Sequence, residues 1–166
     1  MLATRHTLHY TFIFLAISYL IATYALSNAS LAYAAGDMTS QTPIIKTIQL
    51  SNSKNELRFY PSTLAFETGK LYKLVIYNPS NQKHYFSAAD FARSVFTRKV
   101  QVMNPLTKMS NIPIAEVKGS INEIEVYPGG TTEWWFVPVK TLDTSRLNCS
   151  IKGHTQAGMT GTIVIK

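Results

Sequence analysis

From Ile44 to the end of the chain, short segments of alternating apolar and polar residues are separated by turn-forming residues. In the clearest of them, residues 71–78, Tyr72, Leu74 and Ile76 share one face. A period of two is typical of a half-buried strand. Many short strands divided by turn signals indicate an all-β protein, here an antiparallel β-sandwich. The predicted strands are 44–50, 56–59, 64–66, 71–78, 121–127, 132–137 and 162–166.

One segment departs from the strand pattern. Ser87 and Asp90 have the spacing of a capping-box variant, and apolar residues follow at helical intervals. We expect one short inserted helix with an apolar face on the sandwich. The residues on that face are Ala88, Phe91, Ala92, Val95 and Phe96.

The N-terminal residues have the order of a secretory signal. Arg5 precedes an uninterrupted apolar run over 10–26, and Ala32-Tyr33-Ala34 forms a small-x-small site. We predict a signal peptide over 1–34, a flexible linker over 35–43 and a single domain over 44–166. The alternative is an uncleaved membrane anchor, because the apolar run is close to the length that spans a bilayer. Both interpretations predict an exported protein, in a periplasm, in a thylakoid lumen or on an extracellular face.

Composition excludes several classes of protein. With 46% hydrophobic and 15% charged residues, the chain is too apolar to be disordered. Its 166 residues are enough to bury the core of one domain. The single cysteine excludes a disulfide framework and a zinc site built from several thiolates.

Three residues with metal-binding side chains lie in one glycine-rich segment before the last predicted strand. Cys149, His154 and Met159 are each separated by four residues. Thiolate, imidazole and thioether are soft ligands, and together they favour copper over zinc, magnesium or calcium. An electron-transfer copper site needs a second histidine. Beyond residues 1–34 the chain contains one other, His84.

Each of these residues also has an ordinary alternative role. A lone cysteine is usually a small buried hydrophobe, a methionine fills cores, and a loop histidine is often solvated. A nucleophilic pair of Cys149 and His154 is the other chemical interpretation. It requires a substrate cleft and an orienting third group, and it leaves Met159 without a role.

Several of these segments resemble the cupredoxin family, the small blue copper proteins related to plastocyanin and azurin. Residues 149–166 resemble the C-terminal signature of the family, and residues 59–86 resemble its first-histidine region. The segment 127–131 resembles the turn before the strand that leads towards the cysteine. The resemblance covers most of 44–166 and implies a Greek-key β-sandwich.

The resemblance also implies a type 1 copper site and a function. His84 and His154 would bind copper through imidazole nitrogen, Cys149 through a short thiolate bond and Met159 as a weak axial ligand. The implied activity is one-electron transfer without catalysis, to a redox partner such as a cytochrome or an oxidase. The alternative is copper delivery, storage or sensing without electron transfer. A multicopper enzyme needs further histidines, and both histidines beyond residues 1–34 are already used.

Two positions depart from the family pattern. Tyr85 stands where the family commonly has an asparagine after the first histidine, and residues 143–148 lack the usual glycine and aromatic before the cysteine. We expect Asn148 or Ser150 to supply hydrogen bonds to the site instead.

The formal net charge of +7 is relevant to the kind of partner that the protein would bind. Several basic residues lie near the ligands in sequence, and they would steer an acidic redox partner if they formed one face. The alternative is an ordinary solvated surface. We expect a monomer that does not bind nucleic acid and that meets a membrane only through 10–26, if that segment is uncleaved. The basic residues are Lys83, Arg93, Arg98, Lys99 and Lys152.

Overall fold

The computed structural model describes residues 40–104 and 112–166. The predicted signal segment 1–34 and most of the predicted linker 35–43 lie outside the described residues. Within the linker, the Gln41 side chain donates to the Gly69 carbonyl and accepts from the Leu71 N–H. No helix in the described ranges is long and apolar enough to cross a membrane.

The described residues form a β-sandwich of two sheets and one short helix. The six-stranded sheet has the order β2 (Phe59–Tyr60), β1 (Ile44–Leu50), β4 (Tyr72–Tyr77), β9 (Thr131–Pro138), β6 (Val95–Met103) and β7 (Pro113–Val117). The five-stranded sheet has the order β3 (Thr63–Phe66), β11 (Thr160–Ile165), β10 (Leu142–Asn148), β5 (His84–Ser87) and β8 (Glu123–Val126). Helix α1 (Ala89–Arg93) connects β5 to β6. The predicted sandwich with one short inserted helix is confirmed.

Two strand pairs in this mostly antiparallel sandwich are parallel. Strand β1 pairs with β4 and β3 pairs with β11 in parallel, whereas the other pairs are antiparallel. Parallel neighbours cannot be joined by a tight hairpin and need a crossover. Here the chain leaves β1, contributes β3 to the other sheet and only then returns as β4.

Alternate residues of the two sheets meet in an aromatic core. Trp134 and Phe136 of β9 face inwards, and Phe66 of β3 faces them from the other sheet. Phe91 of α1 lies among them, with its ring centroid 5.1–5.4 Å from those of the other three. Because each such pair contributes about 0.5–1.5 kcal/mol beyond burial, α1 is anchored mainly through Phe91.

The helix is shorter than its apolar pattern predicts. It ends at Arg93, and Val95 and Phe96 belong to β6. Phe96 is 54% exposed, so it does not lie on a helical core face. The three-to-four spacing of apolar residues here combines one helical turn with the start of a strand.

Just after the loop that contains the sulfur and nitrogen residues, Gly161 of β11 packs closely against Ser62, the residue before β3. A Cβ at this position would lie 2.6 Å from the Ser62 carbonyl oxygen and 3.3 Å from a Leu147 methyl group. The same carbonyl accepts a hydrogen bond from the Thr162 N–H at 2.8 Å. The close approach of the two strands therefore requires glycine.

We expect Gly161→Ala to lower the free energy of unfolding by about 1–3 kcal/mol, the usual range for overpacking. The neighbouring exposed Thr160→Ala is the control and should change it by less than about 0.5 kcal/mol. Urea unfolding of the metal-free protein measures both. Equal changes in the free energy of unfolding for the two substitutions would show that the backbone around Gly161 can accommodate a Cβ without loss of stability.

Candidate metal centre

The fold brings the predicted ligands to one end of the five-stranded sheet. His84 is the first residue of β5, and Cys149 follows directly after β10. His154 and Met159 lie in the loop 149–159 that connects β10 to β11. Because β5 and β10 are neighbours in the sheet, residues 65 positions apart in sequence meet here.

Three donor atoms lie at the distances expected for one shared ion. The Sγ atom of Cys149 lies 3.5 Å from Nδ1 of His154 and 4.0 Å from Nδ1 of His84. The ligand atoms of all three residues lie within 4.8 Å of one another. Metal bonds of about 2.0–2.3 Å in a trigonal plane place donors about 3.5–4.0 Å apart. The separations therefore fit a trigonal metal site.

Met159 lies beside the other three residues. Its side chain is completely buried, its carbonyl accepts from the Cys149 N–H at 3.2 Å, and its N–H donates to the His154 carbonyl at 2.9 Å. A thioether is a weak ligand, which suits an axial position outside a trigonal plane. Backbone hydrogen bonds thus connect Met159, the candidate for the weak ligand, to Cys149 and His154, two of the three candidates for the strong ligands.

The two histidines differ in exposure. His84 is 1% exposed, and His154 is half-buried. Burial, with a smaller contribution from the neighbouring His154, lowers the pKa of His84 to about 4. His84 is therefore neutral at pH 7, the form of imidazole that binds a metal. Its Nε2 is buried without a hydrogen-bond partner among the described residues.

The thiol accepts a hydrogen bond from the backbone. The Tyr85 N–H donates to Sγ of Cys149 at 3.3 Å. Among the described residues, neither Asn148 nor Ser150 donates to this sulfur, so the expectation for those two side chains is wrong. Because the donor is a peptide N–H, the replacement of asparagine by tyrosine at position 85 leaves the contact in place.

We therefore expect Tyr85→Phe to leave the visible absorption of the copper-loaded protein unchanged. The tyrosine hydroxyl interacts with Glu125 on β8, away from the sulfur, and this hydrogen bond raises the pKa of Tyr85. Absorption spectroscopy of the loaded variant measures the result. A shifted or weakened band would mean that the side chain at position 85 acts on the metal site.

The loop before His84 is held by a buried residue that sequence reasoning missed. The Asn78 side chain donates to the carbonyls of Gln82 and Val126 at 2.7 and 2.8 Å. Its Oδ1 accepts from the N–H and the hydroxyl of Ser80 at 3.0 and 2.7 Å. Since Val126 pairs with His84 in the sheet, Asn78 fixes the start of β5. An Asn-Pro-Ser-Asn sequence indicates a turn, but not that its first side chain is buried.

The second ligand loop is held by turns and a side-chain hydrogen bond. Gly153 and Gly158 have φ angles of +91° and +103°, which favour glycine. The Thr155 hydroxyl donates to the Cys149 carbonyl at 2.8 Å. These constraints orient the ring of His154 towards the sulfur.

Cys149 does not have the surroundings of a nucleophile. Its Sγ is within reach of His154, but the residue is completely buried. A nucleophile must be reached by its substrate. Two imidazoles beside one buried sulfur fit metal binding better than a nucleophile–base pair.

Comparison with known proteins places the fold. No protein-family model and no curated protein sequence matches the chain. Among solved structures, a multicopper oxidase from Campylobacter jejuni is similar with a TM-score of 0.53 and 15% identity, over 76% of this chain and 31% of the oxidase. A copper-containing nitrite reductase from Thermus scotoductus gives 0.54 and 12%, over 82% of this chain and 34% of the reductase.

Auracyanin A, a blue copper protein from Chloroflexus aurantiacus, matches with a TM-score of 0.47 and 20% identity, over 75% of this chain and all of that one. This chain spans only about a third of the length of the oxidase and the reductase. At these identities the likeness concerns the fold. The similarity to the oxidase and the reductase, together with the two sheets described above, shows that the described part of the chain has a cupredoxin-like β-sandwich fold.

Proposed function

We propose that the protein holds one type 1 copper ion and acts as a one-electron carrier. The observation that carries the proposal is the placement of one thiol and two imidazole nitrogens, 3.5 and 4.0 Å from it, at a buried site with a methionine alongside. Thiolate and imidazole with a weak thioether favour copper over harder ions. The oxidase, the reductase and the auracyanin named above are all copper proteins by their descriptions.

When bound, copper would supply a centre that alternates between its singly and doubly charged states. The residues of this chain would hold the ligands in nearly one arrangement for both. His84 is fixed by Asn78 through the sheet, and the sulfur by the Tyr85 N–H. His154 and Met159 are joined by a backbone hydrogen bond. A site that moves little when its charge changes exchanges electrons fast.

The ligands also differ in how an electron could reach them. Cys149, Met159 and His84 are at most 1% exposed, whereas His154 is half-buried. His154 is thus the most exposed of the four candidate ligands. We infer that electrons enter and leave through its edge.

The proposed location and partners rest on the sequence. The signal-like order of residues 1–34 supports export, to a periplasm, a lumen or an outer face. A carrier there would exchange electrons with a cytochrome or an oxidase. The protein would work as a monomer, since one chain supplies the complete ligand set.

Two other copper functions are less well supported. Delivery benefits from exposed, exchangeable ligands, whereas this ligand set is closed and mostly buried. An oxidase or nitrite reductase needs a second copper centre. Beyond residues 1–34, both histidines of this chain belong to the proposed site.

Cyclic voltammetry of the copper-loaded full chain, with self-exchange measured by NMR line broadening, tests the carrier. We expect a reversible one-electron wave and fast exchange. A protein that shows neither, and instead transfers its copper quickly to a chelator, would be a delivery protein.

A further inference from the structure

Three of the basic residues that lie near the ligands in sequence are paired with carboxylates. Lys83 pairs with Glu125 at 2.8 Å, and Lys99 pairs with Glu116 at 3.5 Å. Arg93 pairs with Asp90, in the helix that follows the far end of β5. Much of the charge of these three residues is therefore compensated locally.

Three other cations lie around the metal end. Lys152 belongs to the second ligand loop, two residues before His154. Lys54 lies in the loop after β1, and the side chain of Asn55 in that loop accepts from the N–H of Asn81 at 3.0 Å, next to the first ligand loop. Arg58 follows in the same loop. These exposed side chains form no ion pair with the described residues.

Arg58 also lines a polar pocket of about 280 Å³ beside the second ligand loop. Ser62 and Thr160, two residues with hydroxyl side chains, also line it. The nearby Glu56 is engaged, since its carboxylate accepts from Tyr60 and from Asn52. These hydrogen bonds, with smaller contributions from the positive charges of Lys54 and Arg58, hold the pKa of Glu56 below its usual value. Glu56 therefore offsets part of the positive charge of these two residues. The pocket lining is Arg58, Phe59, Tyr60, Ser62, Gly158 and Thr160.

The Arg58 pocket adjoins the metal centre. Gly158 and Thr160 in its wall are the two neighbours of Met159 in sequence. The Ser62 carbonyl accepts from the Thr162 N–H and packs on Gly161. A group bound in the pocket would therefore lie next to the backbone of Met159.

We propose that the Arg58 pocket binds a side-chain carboxylate of an acidic redox partner and docks that partner beside Met159. A guanidinium with two hydroxyl groups fits a carboxylate, because the planar fork of arginine can donate two parallel hydrogen bonds to it. The exposed Lys54 and Lys152 add positive potential around the pocket, which steers an acidic protein towards it. This inference rests on the proposed electron-carrier function, for which it names the partner class.

The test uses the full chain and poly-L-glutamate as an acidic protein probe. Isothermal titration calorimetry at low ionic strength measures its affinity for the wild type, Arg58→Glu and Arg58→Gln. We expect Arg58→Glu to weaken binding about tenfold, within the range of electrostatic steering, and Arg58→Gln to weaken it less. Lys140→Glu is the control, since it makes the same charge change at an exposed position after β9, at the end opposite the ligands. It should change the affinity less than about twofold.

The second measurement is the rate at which hexacyanoferrate(III), an anion, oxidises the reduced copper protein. Poly-L-glutamate should slow this reaction for the wild type and for Lys140→Glu, but not for Arg58→Glu. Equal weakening of binding by Arg58→Glu and Lys140→Glu would overturn the docking site. Binding that depends on Arg58 but does not affect the oxidation rate would overturn the docking of the partner beside the metal centre.

The docking proposal and the electron-carrier proposal can be contradicted independently of each other. Calorimetry needs no copper, so it decides the acidic docking site even if the protein lacks a thiolate-to-copper band. Absence of that band in the wild type would remove the carrier function alone.

Discussion

Replacing Cys149 with serine is expected to abolish the intense visible absorption of the copper-loaded protein. The sulfur is the atom that both imidazoles face, at 3.5 and 4.0 Å, and the described chain offers no second thiol. An alcohol is a much poorer ligand for copper than a thiolate and does not give the same charge-transfer transition. Absorption spectroscopy and a copper titration measure the effect, and we expect affinity for Cu(II) to fall by at least about a hundredfold.

Serine is close to cysteine in size, so the metal-free fold should survive the change. The matched control is Ser145→Ala in the preceding strand, where a buried hydroxyl has no hydrogen-bond partner among the described residues. This variant should retain the full absorption. A Cys149→Ser protein that kept its band would show that the colour arises elsewhere.

Asn78→Ala is expected to cause the largest loss of stability among the polar substitutions considered. It removes four hydrogen bonds with protein partners at once, two donated to carbonyls and two accepted from Ser80. Each is worth about 1 kcal/mol, and the buried partner groups left unpaired cost more. We expect the free energy of unfolding to fall by about 3–5 kcal/mol, measured by urea unfolding of the metal-free protein.

Asn81→Ala is the control, because Asn81 is exposed in the same loop and its side chain makes no hydrogen bond with the described residues. It should change the free energy of unfolding by less than about 0.5 kcal/mol. A role of Asn78 in positioning His84 has a second signature. Loaded Asn78→Ala should show a broadened absorption band at a temperature where it remains folded. Equal stabilities of the two variants would contradict the role of Asn78.

The candidate ligands could be predicted because the ability of a side chain to bind a metal depends on its residue type. One cysteine and two histidines outside the N-terminal segment allow few combinations, and the structure brings all three within 4.8 Å. The residues that hold these ligands in place by hydrogen bonds were harder to predict. Asn78 is a common turn residue, and the Tyr85 N–H belongs to the backbone, which every residue other than proline supplies.

Two of the strands that the sequence did not predict, β7 and β10, have weak alternation. Only Ser145 and Leu147 of β10 are buried, and its pairing with β11 shifts register between Leu142 and Ser145. All residues of β7 are exposed, so no apolar face distinguishes it from a loop. Whether two paired strands run parallel or antiparallel likewise cannot be read from the local pattern of apolar and polar residues. The parallel pairs β1–β4 and β3–β11 depend on how the chain passes between the sheets.

Absorption and EPR spectra of the full chain after one equivalent of Cu(II) test the central claim most directly. A site built from Cys149, His84, His154 and Met159 predicts an intense thiolate-to-copper band in the visible range, together with the EPR signal of a single Cu(II) centre. A folded, fully loaded protein without that band would contradict the type 1 copper assignment.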